Sequence, residues 1–328
     1  MPDALTVRFG EAWSRLDPQL ATAIKAVYTR WGDDPPVFDL SPVDARQAIS
    51  RLQVFWSAGA PAVPHVEEWI IQGASGRIRV RLYDPGVPAP APTVIYLHGG
   101  GWVLCDIDLY DGVVRQIAAL TGLRCLSVDY GLSPEHPFPM PLEDCVAAVR
   151  WAAKEGRELG IDADRLTILG DSAGANLALA TCLALRDGGE SLLRSAGLIY
   201  GAFSDNADTP SQKANGDGSY LLSTAEMDWY WSHYVPNPSD RQNPLAAPLN
   251  GNLSNLPPLY IVAAEFDPLR SDSEELVAKL RQVGASVEFH LWPRMTHACL
   301  NLMGWVEAVK PEVRNIGTFL RQAVGDHA

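Results

Sequence analysis

Leu166-Thr167-Ile168-Leu169-Gly170-Asp171-Ser172-Ala173-Gly174-Ala175-Asn176-Leu177-Ala178-Leu179-Ala180 changes character in the middle. The apolar run before Gly170 is too short for a helix and suits a buried strand, whereas the Ala- and Leu-rich run after Gly174 suits a helix. Between them stands Gly-x-Ser-x-Gly. A serine on so tight a strand-to-helix turn is held in a strained backbone conformation that lifts its hydroxyl clear of the sheet. Both glycines are needed because a side chain there would strike the neighbouring strand or helix. The pentapeptide alone is permissive, and a serine that merely caps the helix is the other reading. Its position between a strand and a helix favours an exposed nucleophile at Ser172.

Working outward, strand and helix patterns alternate. They run Thr93–Leu97 (β), Leu109–Leu120 (α), Arg124–Val128 (β), Leu142–Glu158 (α), Arg165–Leu169 (β), Ala173–Arg186 (α) and Ala196–Tyr200 (β). The series resumes at Leu259–Ala263 (β), Ser273–Val283 (α), Val287–Trp292 (β) and Trp305–Val324 (α). Such alternation implies right-handed crossovers and a mostly parallel sheet covered on both faces, hence an α/β fold. Upstream, Val- and Ile-rich runs flank Gly73-Ala74-Ser75-Gly76 and predict an antiparallel hairpin over 65–83. Residues 1–62 read as helical, with Trp13, Leu16, Leu20, Ile24 and Val27 on one face of a helix over Ala12–Arg30, before the breaker Asp33-Asp34-Pro35-Pro36. Between Phe203 and Asn255 the alternation lapses, Gly and Pro accumulate, and Trp229-Tyr230-Trp231 with Tyr234 predicts an excursion over the sheet.

The 328 residues fit one large α/β unit with an excursion. With 39 acidic against 26 basic residues and a net charge of −13, a phosphate-rich partner meets repulsion, so nucleic acid is not an expected ligand. No stretch approaches the roughly 18 uncharged residues of a membrane helix, and the N-terminus carries no targeting pattern. Cys105, Cys125, Cys145, Cys182 and Cys299 include no Cys-x-x-Cys pair, so reduced, buried thiols and a cytoplasmic location are expected, without zinc chemistry.

His98-Gly99-Gly100-Gly101-Trp102 follows the strand ending at Leu97. Three glycines let the backbone approach a bound ester and aim N–H groups at an oxygen that becomes negative during attack. A phosphate cradle or a flexible loop is the other reading, but no Lys-Ser/Thr follows and the dinucleotide-binding spacing is missing. A serine hydroxyl needs a base, and a base needs an acid to orient it. His290 alternates within a strand and His327 belongs to the terminal tail, whereas His297 lies just past a strand end, where it can swing over Ser172. For the acid, Asp267 is held extended by Pro268 at a strand end. Its competitor Glu265 lies nearer the strand and could pair with Arg270 on the surface.

These motifs resemble the hormone-sensitive lipase family of α/β-hydrolases, in its bacterial Gly-Asp-Ser-Ala-Gly esterase branch. His98–Gly101, Asp129-Tyr130, Ser133–Pro139, Leu142-Glu143-Asp144, Gly170–Gly174, Asp267–Arg270 and His297 match in order, across about 63–324. The resemblance implies an eight-stranded α/β-hydrolase sheet, with a helical cap from residues 1–48 and 203–235 and a catalytic domain from 49–202 and 236–328. It implies Ser172 as nucleophile, His297 as base and Asp267 as its orienter, with an oxyanion hole from the N–H groups of Gly100, Gly101 and Ala173. It also implies a carboxylic-ester hydrolase for small, short-acyl esters, with neither cofactor nor metal. The same triad could serve lactones, amides or carbamates, and some relatives are noncatalytic receptors, although those typically lack the histidine. Trp102, Trp229, Tyr230, Trp231 and Tyr234 either line the pocket or form the cap core. His136 reads as loop packing and Cys299 as a small packing residue. A homodimer through the last strand is a further expectation. The chain departs from the family at Tyr130-Gly131-Leu132, where relatives carry Tyr-Arg-Leu, and at Ala298-Cys299, where they carry Gly and an aromatic.

Overall fold

The computed structural model describes residues 4–325. Helices come first: α1 (Ala4–Trp13), α2 (Pro18–Trp31), α3 (Pro42–Ser50) and α4 (Gln53–Trp56). The single helix expected over 12–30 is therefore broken. Pro18 cannot continue a preceding helix but suits the first turn of the next, and Asp17 caps that turn by accepting from the Gln19 (2.8 Å) and Leu20 (3.3 Å) amides. Leu20, Ile24 and Val27 are buried along α2 as the periodicity requires.

The hairpin follows, β1 (His65–Gln72) and β2 (Arg77–Asp84), turning at the four residues read as its turn. Then come β3 (Ala91–Leu97), α5 (Asp111–Thr121), β4 (Arg124–Val128), α6 (Met140–Glu155), β5 (Ile161–Asp171), α7 (Ala173–Asp187) and β6 (Leu193–Ile199). The excursion holds α8 (Pro210–Asn215) and α9 (Thr224–Tyr234), after which β7 (Leu259–Phe266), α10 (Arg270–Gln282), β8 (Val287–Thr296) and α11 (Lys310–Ala323) complete the described chain. The last helix starts five residues later than expected, because short 3-10 turns occupy 299–302 and 307–309 before Pro311 takes the first helical turn.

The eight strands form one sheet in the order β1-β2-β4-β3-β5-β6-β7-β8. The pairs β1–β2 and β2–β4 are antiparallel, and every other pairing is parallel. Both β3 and β4 are buried along their whole lengths, which is why they read as unbroken apolar runs rather than alternating ones. Helices α6 and α7 pack on β5, and α11 packs on α5 and β6. The α/β-hydrolase arrangement is thus the one observed. β8 lies at the sheet edge, where Pro293 costs no ladder hydrogen bond, and the strand runs on to Thr296 rather than ending at Trp292.

Helices α1 and α2 are joined to the excursion, and the Asp17 amide between them donates to Arg294 O on β8 (3.0 Å). The Trp13 indole donates to Ser219 O (2.9 Å), the Tyr28 hydroxyl donates to Gly218 O (3.0 Å), and Arg15 reaches the Tyr220 hydroxyl (3.4 Å). No described helix is long and apolar enough to cross a membrane.

Candidate active site

Four parallel strands deliver the site at their carboxyl ends. His98–Gly101 leave β3, Ser172 leaves β5, Asp267 leaves β7 and His297 leaves β8. In an open parallel sheet the carboxyl ends of the strands are where loops from distant parts of the sequence converge.

Ser172 has φ +56° and ψ −122°, a conformation that only a tightly determined turn enforces on a non-glycine residue. Its amide donates to Ile199 O (2.9 Å), pinning the turn to β6. The flanking glycines have no room for a side chain. A Cβ at Gly174 would lie 2.0 Å from Leu97 O, and one at Gly170 would lie 2.3 Å from Gly174 O.

The Ser172 Oγ lies 2.8 Å from His297 Nε2, and His297 Nδ1 lies 2.8 Å from Asp267 Oδ2. Asp267 is fully buried, and its other oxygen accepts the Leu269 amide (2.8 Å), so its carboxylate orientation is set from both sides. A carboxylate at Nδ1 holds the proton there and leaves Nε2 to accept from the serine hydroxyl. The Tyr200 ring packs beside the imidazole at 4.7 Å.

Gly100 and Gly101 adopt φ +116° and +60°, so their turn is left-handed. Neither amide, nor that of Ala173 at the start of α7, donates to a protein acceptor among the described residues. These N–H groups are therefore available to an incoming oxygen.

Asp171 ties this turn to the serine turn. Its Oδ1 accepts from the Tyr96 hydroxyl (2.7 Å) and the Gly99 amide (3.0 Å), and its Oδ2 accepts from the Tyr110 hydroxyl (2.9 Å). Burial raises the carboxyl above its ordinary range, against the pull of the two phenols. His98 is fully buried and stacks on Tyr130 at 4.3 Å, and the Tyr130 hydroxyl donates to His98 O (2.6 Å). Asp144 accepts from Ser75 N (3.0 Å), Ser75 Oγ (2.5 Å) and Gly131 N (2.8 Å), joining the hairpin turn to the loop after β4. A Cβ at Gly131 would come within 2.7 Å of Ser75 Cβ, which accounts for glycine between Tyr130 and Leu132.

The other sequence expectations divide. Glu265 does not pair with Arg270: it accepts the Arg294 amide (2.7 Å), and Arg270 pairs with Glu274 (2.8 Å). Glu265 lies inside β7 rather than past its end, and so meets the backbone of the neighbouring β8. His290 stacks on Tyr260 at 4.7 Å near Glu312, away from Ser172, and His327 lies outside the described residues. His136 is half-buried in its loop, and Cys299 is fully buried.

Of the five aromatics read as pocket or cap core, four are buried and three of those pack on one another. Trp102 stacks on Tyr234 at 4.3 Å and tilts against Trp231 at 4.7 Å, and all three are buried. Large flat rings at helical spacing pack on one another before they pack on a ligand. Trp229 is half-buried against Tyr230 and His233. The Tyr230 ring lies against Gly101, where a Cβ would come within 2.1 Å of it.

Sequence reasoning missed Asp171, Tyr96 and Tyr110 as a unit. The aspartate was visible inside the pentapeptide, but tyrosines within apolar runs carry no sign of where their hydroxyls go.

Residues 94–301 match a family model described as the α/β hydrolase fold. An esterase from Pyrobaculum calidifontis is 32% identical over 94% of this chain and 98% of that one, with a TM-score of 0.86. A thermostable esterase from Pseudomonas putida is 30% identical over 94% of this chain and 98% of that one, with a TM-score of 0.88. An ester hydrolase from the metagenome of Lake Arreo, solved with a bipyridine phosphonate derivative, is 31% identical over 94% of this chain and 99% of that one, at a TM-score of 0.88.

Proposed function

The chain belongs to the α/β-hydrolase family, among the esterases of the hormone-sensitive lipase type, and is a carboxylic-ester hydrolase; from that premise we propose that it works through an acyl-enzyme on Ser172. The Ser172 oxygen attacks the acyl carbon while its proton passes to His297 Nε2. The carbonyl oxygen becomes an oxyanion and accepts hydrogen bonds from the amides of Gly100, Gly101 and Ala173. His297 then returns the proton to the departing alkoxide, so an alcohol leaves and an ester to Ser172 remains. Water, deprotonated by the same nitrogen, attacks that ester, and its collapse releases the acid and restores the serine hydroxyl. Asp267 keeps the Nδ1 proton in place and stabilises the imidazolium.

The observation that supports this division of labour is the unbroken line from Ser172 Oγ through His297 to Asp267, with both links 2.8 Å. Replacing Ser172 with Ala is expected to abolish ester turnover and rapid phosphonate labelling together, with the circular dichroism spectrum unchanged. A variant retaining near-full activity refutes the assignment. Because Nε2 must be free to accept a proton, turnover falls on acidification.

Residues 1–48 and 203–235 are read as one cap over the site, a reading supported by the hydrogen bonds from Trp13 and Tyr28 to the 218–219 backbone. Small, short-acyl esters suit this cap, since Trp102, Trp231 and Tyr234 fill the space beneath α9 with packed rings. The free edge of β8 is the surface through which a homodimer would form, and buried thiols at all five cysteines suit a reducing, cytoplasmic setting.

A further inference from the structure

Glu226 is a titratable group near this machinery that the hydrolytic steps do not use. It occupies the first turn of α9 in a reciprocal cap. Its Oε2 accepts from Ser223 N (2.8 Å) and Ser223 Oγ (2.7 Å), while its own amide donates to Ser223 Oγ (3.1 Å). Capping uses only one oxygen. Oε1 has no protein partner among the described residues and is not shut off from solvent.

Two fixed points locate it. At the start of α9 the Thr224 hydroxyl donates to Gln212 on α8 (2.6 Å), and α8 is fastened over the acid loop by Ser211 Oγ to Pro268 O (2.6 Å) and Asn215 Nδ2 to Asp267 O (3.4 Å). Four residues beyond Glu226, the Tyr230 ring lies on Gly101. Residues i and i+4 share a helix face, so Glu226 stands between the Asp267–His297 side and the Gly101 side, the span that contains Ser172. Its electrostatics agree: burial raises its proton affinity, against the lowering effects of Ser223 and of the His297 charge. The residue as a whole is half-buried.

We infer that Glu226 is a recognition group of the ester pocket, whose free Oε1 accepts a hydrogen bond from an ammonium or hydroxyl group on the substrate. The inference rests on Ser172, His297 and Asp267 being the hydrolytic centre. An enclosed carboxylate facing an alkyl group stays unpaired, whereas a donor restores the hydrogen bond it lost to burial, and a cation also balances its charge. Ammonium esters therefore rank above hydroxyl esters, and both above alkyl esters. The net charge of −13 draws the same cations towards the protein.

The test compares matched esters at neutral pH. Dimethylaminoethyl butyrate is paired with isopentyl butyrate to probe the alcohol side. Ethyl dimethylaminobutyrate is paired with its isopropyl-ended analogue to probe the acyl side. Within each enzyme the readout is the ratio of kcat/KM for the ammonium ester to that for its neutral partner. For at least one pair, this ratio should be at least about tenfold higher in the wild type than in Glu226→Gln. Glutamine keeps an acceptor for Ser223, and thermal unfolding with phosphonate titration of active sites verifies that the variant is folded. Equal ratios in the two enzymes for both pairs overturn the inference. A uniform loss of rate at constant ratio also overturns it, because Glu226 then acts on the imidazole and not on the substrate. If the wild type hydrolyses none of the four esters and Ser172 resists the phosphonate, the hydrolytic reading itself has failed.

Discussion

At the residue scale, strain sits beside the Ser172–His297–Asp267 line. Ala298, directly after His297, has φ +58°, a conformation that costs an L-residue roughly 1–2 kcal/mol and glycine almost nothing. Glycine loses part of that advantage in the unfolded chain, so Ala298→Gly is expected to stabilise the fold by about 0.5–1 kcal/mol, read from urea unfolding. Asp272 carries a second residue-level consequence. It is buried at the start of α10 and accepts the Phe203 (2.9 Å) and Ser204 (2.9 Å) amides, which anchor the beginning of the excursion. Burial, reinforced by the charge of Asp267, pushes its carboxyl up to about 8 from an ordinary 3.8 despite the two amides. Between those values the folded protein holds a proton that the unfolded chain has released, so wild-type stability declines as pH rises through the window. Asp272→Asn keeps an acceptor and removes the titration. Its thermal midpoint relative to wild type should therefore rise between pH 5 and pH 8; a constant difference would falsify the account.

At the scale of elements, α9 is held by packing as much as by hydrogen bonds. Trp102, Trp231 and Tyr234 are buried, and neither indole N–H nor the Tyr234 hydroxyl has a partner among the described residues. A hydroxyl buried without a partner contributes a desolvation cost and no bond. Tyr234→Phe is accordingly expected to leave stability unchanged or raise it by about 1 kcal/mol, while Tyr234→Ala costs about 3–5 kcal/mol by opening a cavity beneath α9. Thermal or urea unfolding of the two variants checks both signs. The boundaries of α9 were not readable from its ring-rich sequence, but its reciprocal Ser223–Glu226 cap follows a recognisable spacing. The helix expected over 12–30 failed for a comparably local reason, since Pro18 outweighs a continuous apolar face.

At the scale of the whole molecule, distant segments are fastened around the site. Arg46 on α3 donates to Val103 O (2.8 Å), Ser133 O (2.8 Å) and both oxygens of Glu135 (2.8 and 2.7 Å), linking the N-terminal helices to the loop after Gly101 and to the loop after β4. The guanidinium holds the Glu135 carboxyl down at about 2, from an ordinary 4.5. A depressed acid stabilises the fold above its ordinary value and loses that contribution as pH falls through the window. Arg46→Met should therefore lower the thermal midpoint at neutral pH, with the deficit narrowing as pH is taken from about 5 towards 2. By itself the sequence determined the strand and helix succession, the serine turn and the loops bearing Gly100, Asp267 and His297. Each of those rests on short-range patterns, namely the period of apolar residues and the conformations open to glycine and proline. Only the tertiary structure decided which carboxylate meets His297, that Asp171 bonds to Tyr96 and Tyr110, which rings pack as core, and that the Glu226 cap leaves one oxygen without a protein partner among the described residues. Those outcomes depend on contacts between residues far apart in the chain, and a side chain's chemistry does not state which partner the fold will bring to it.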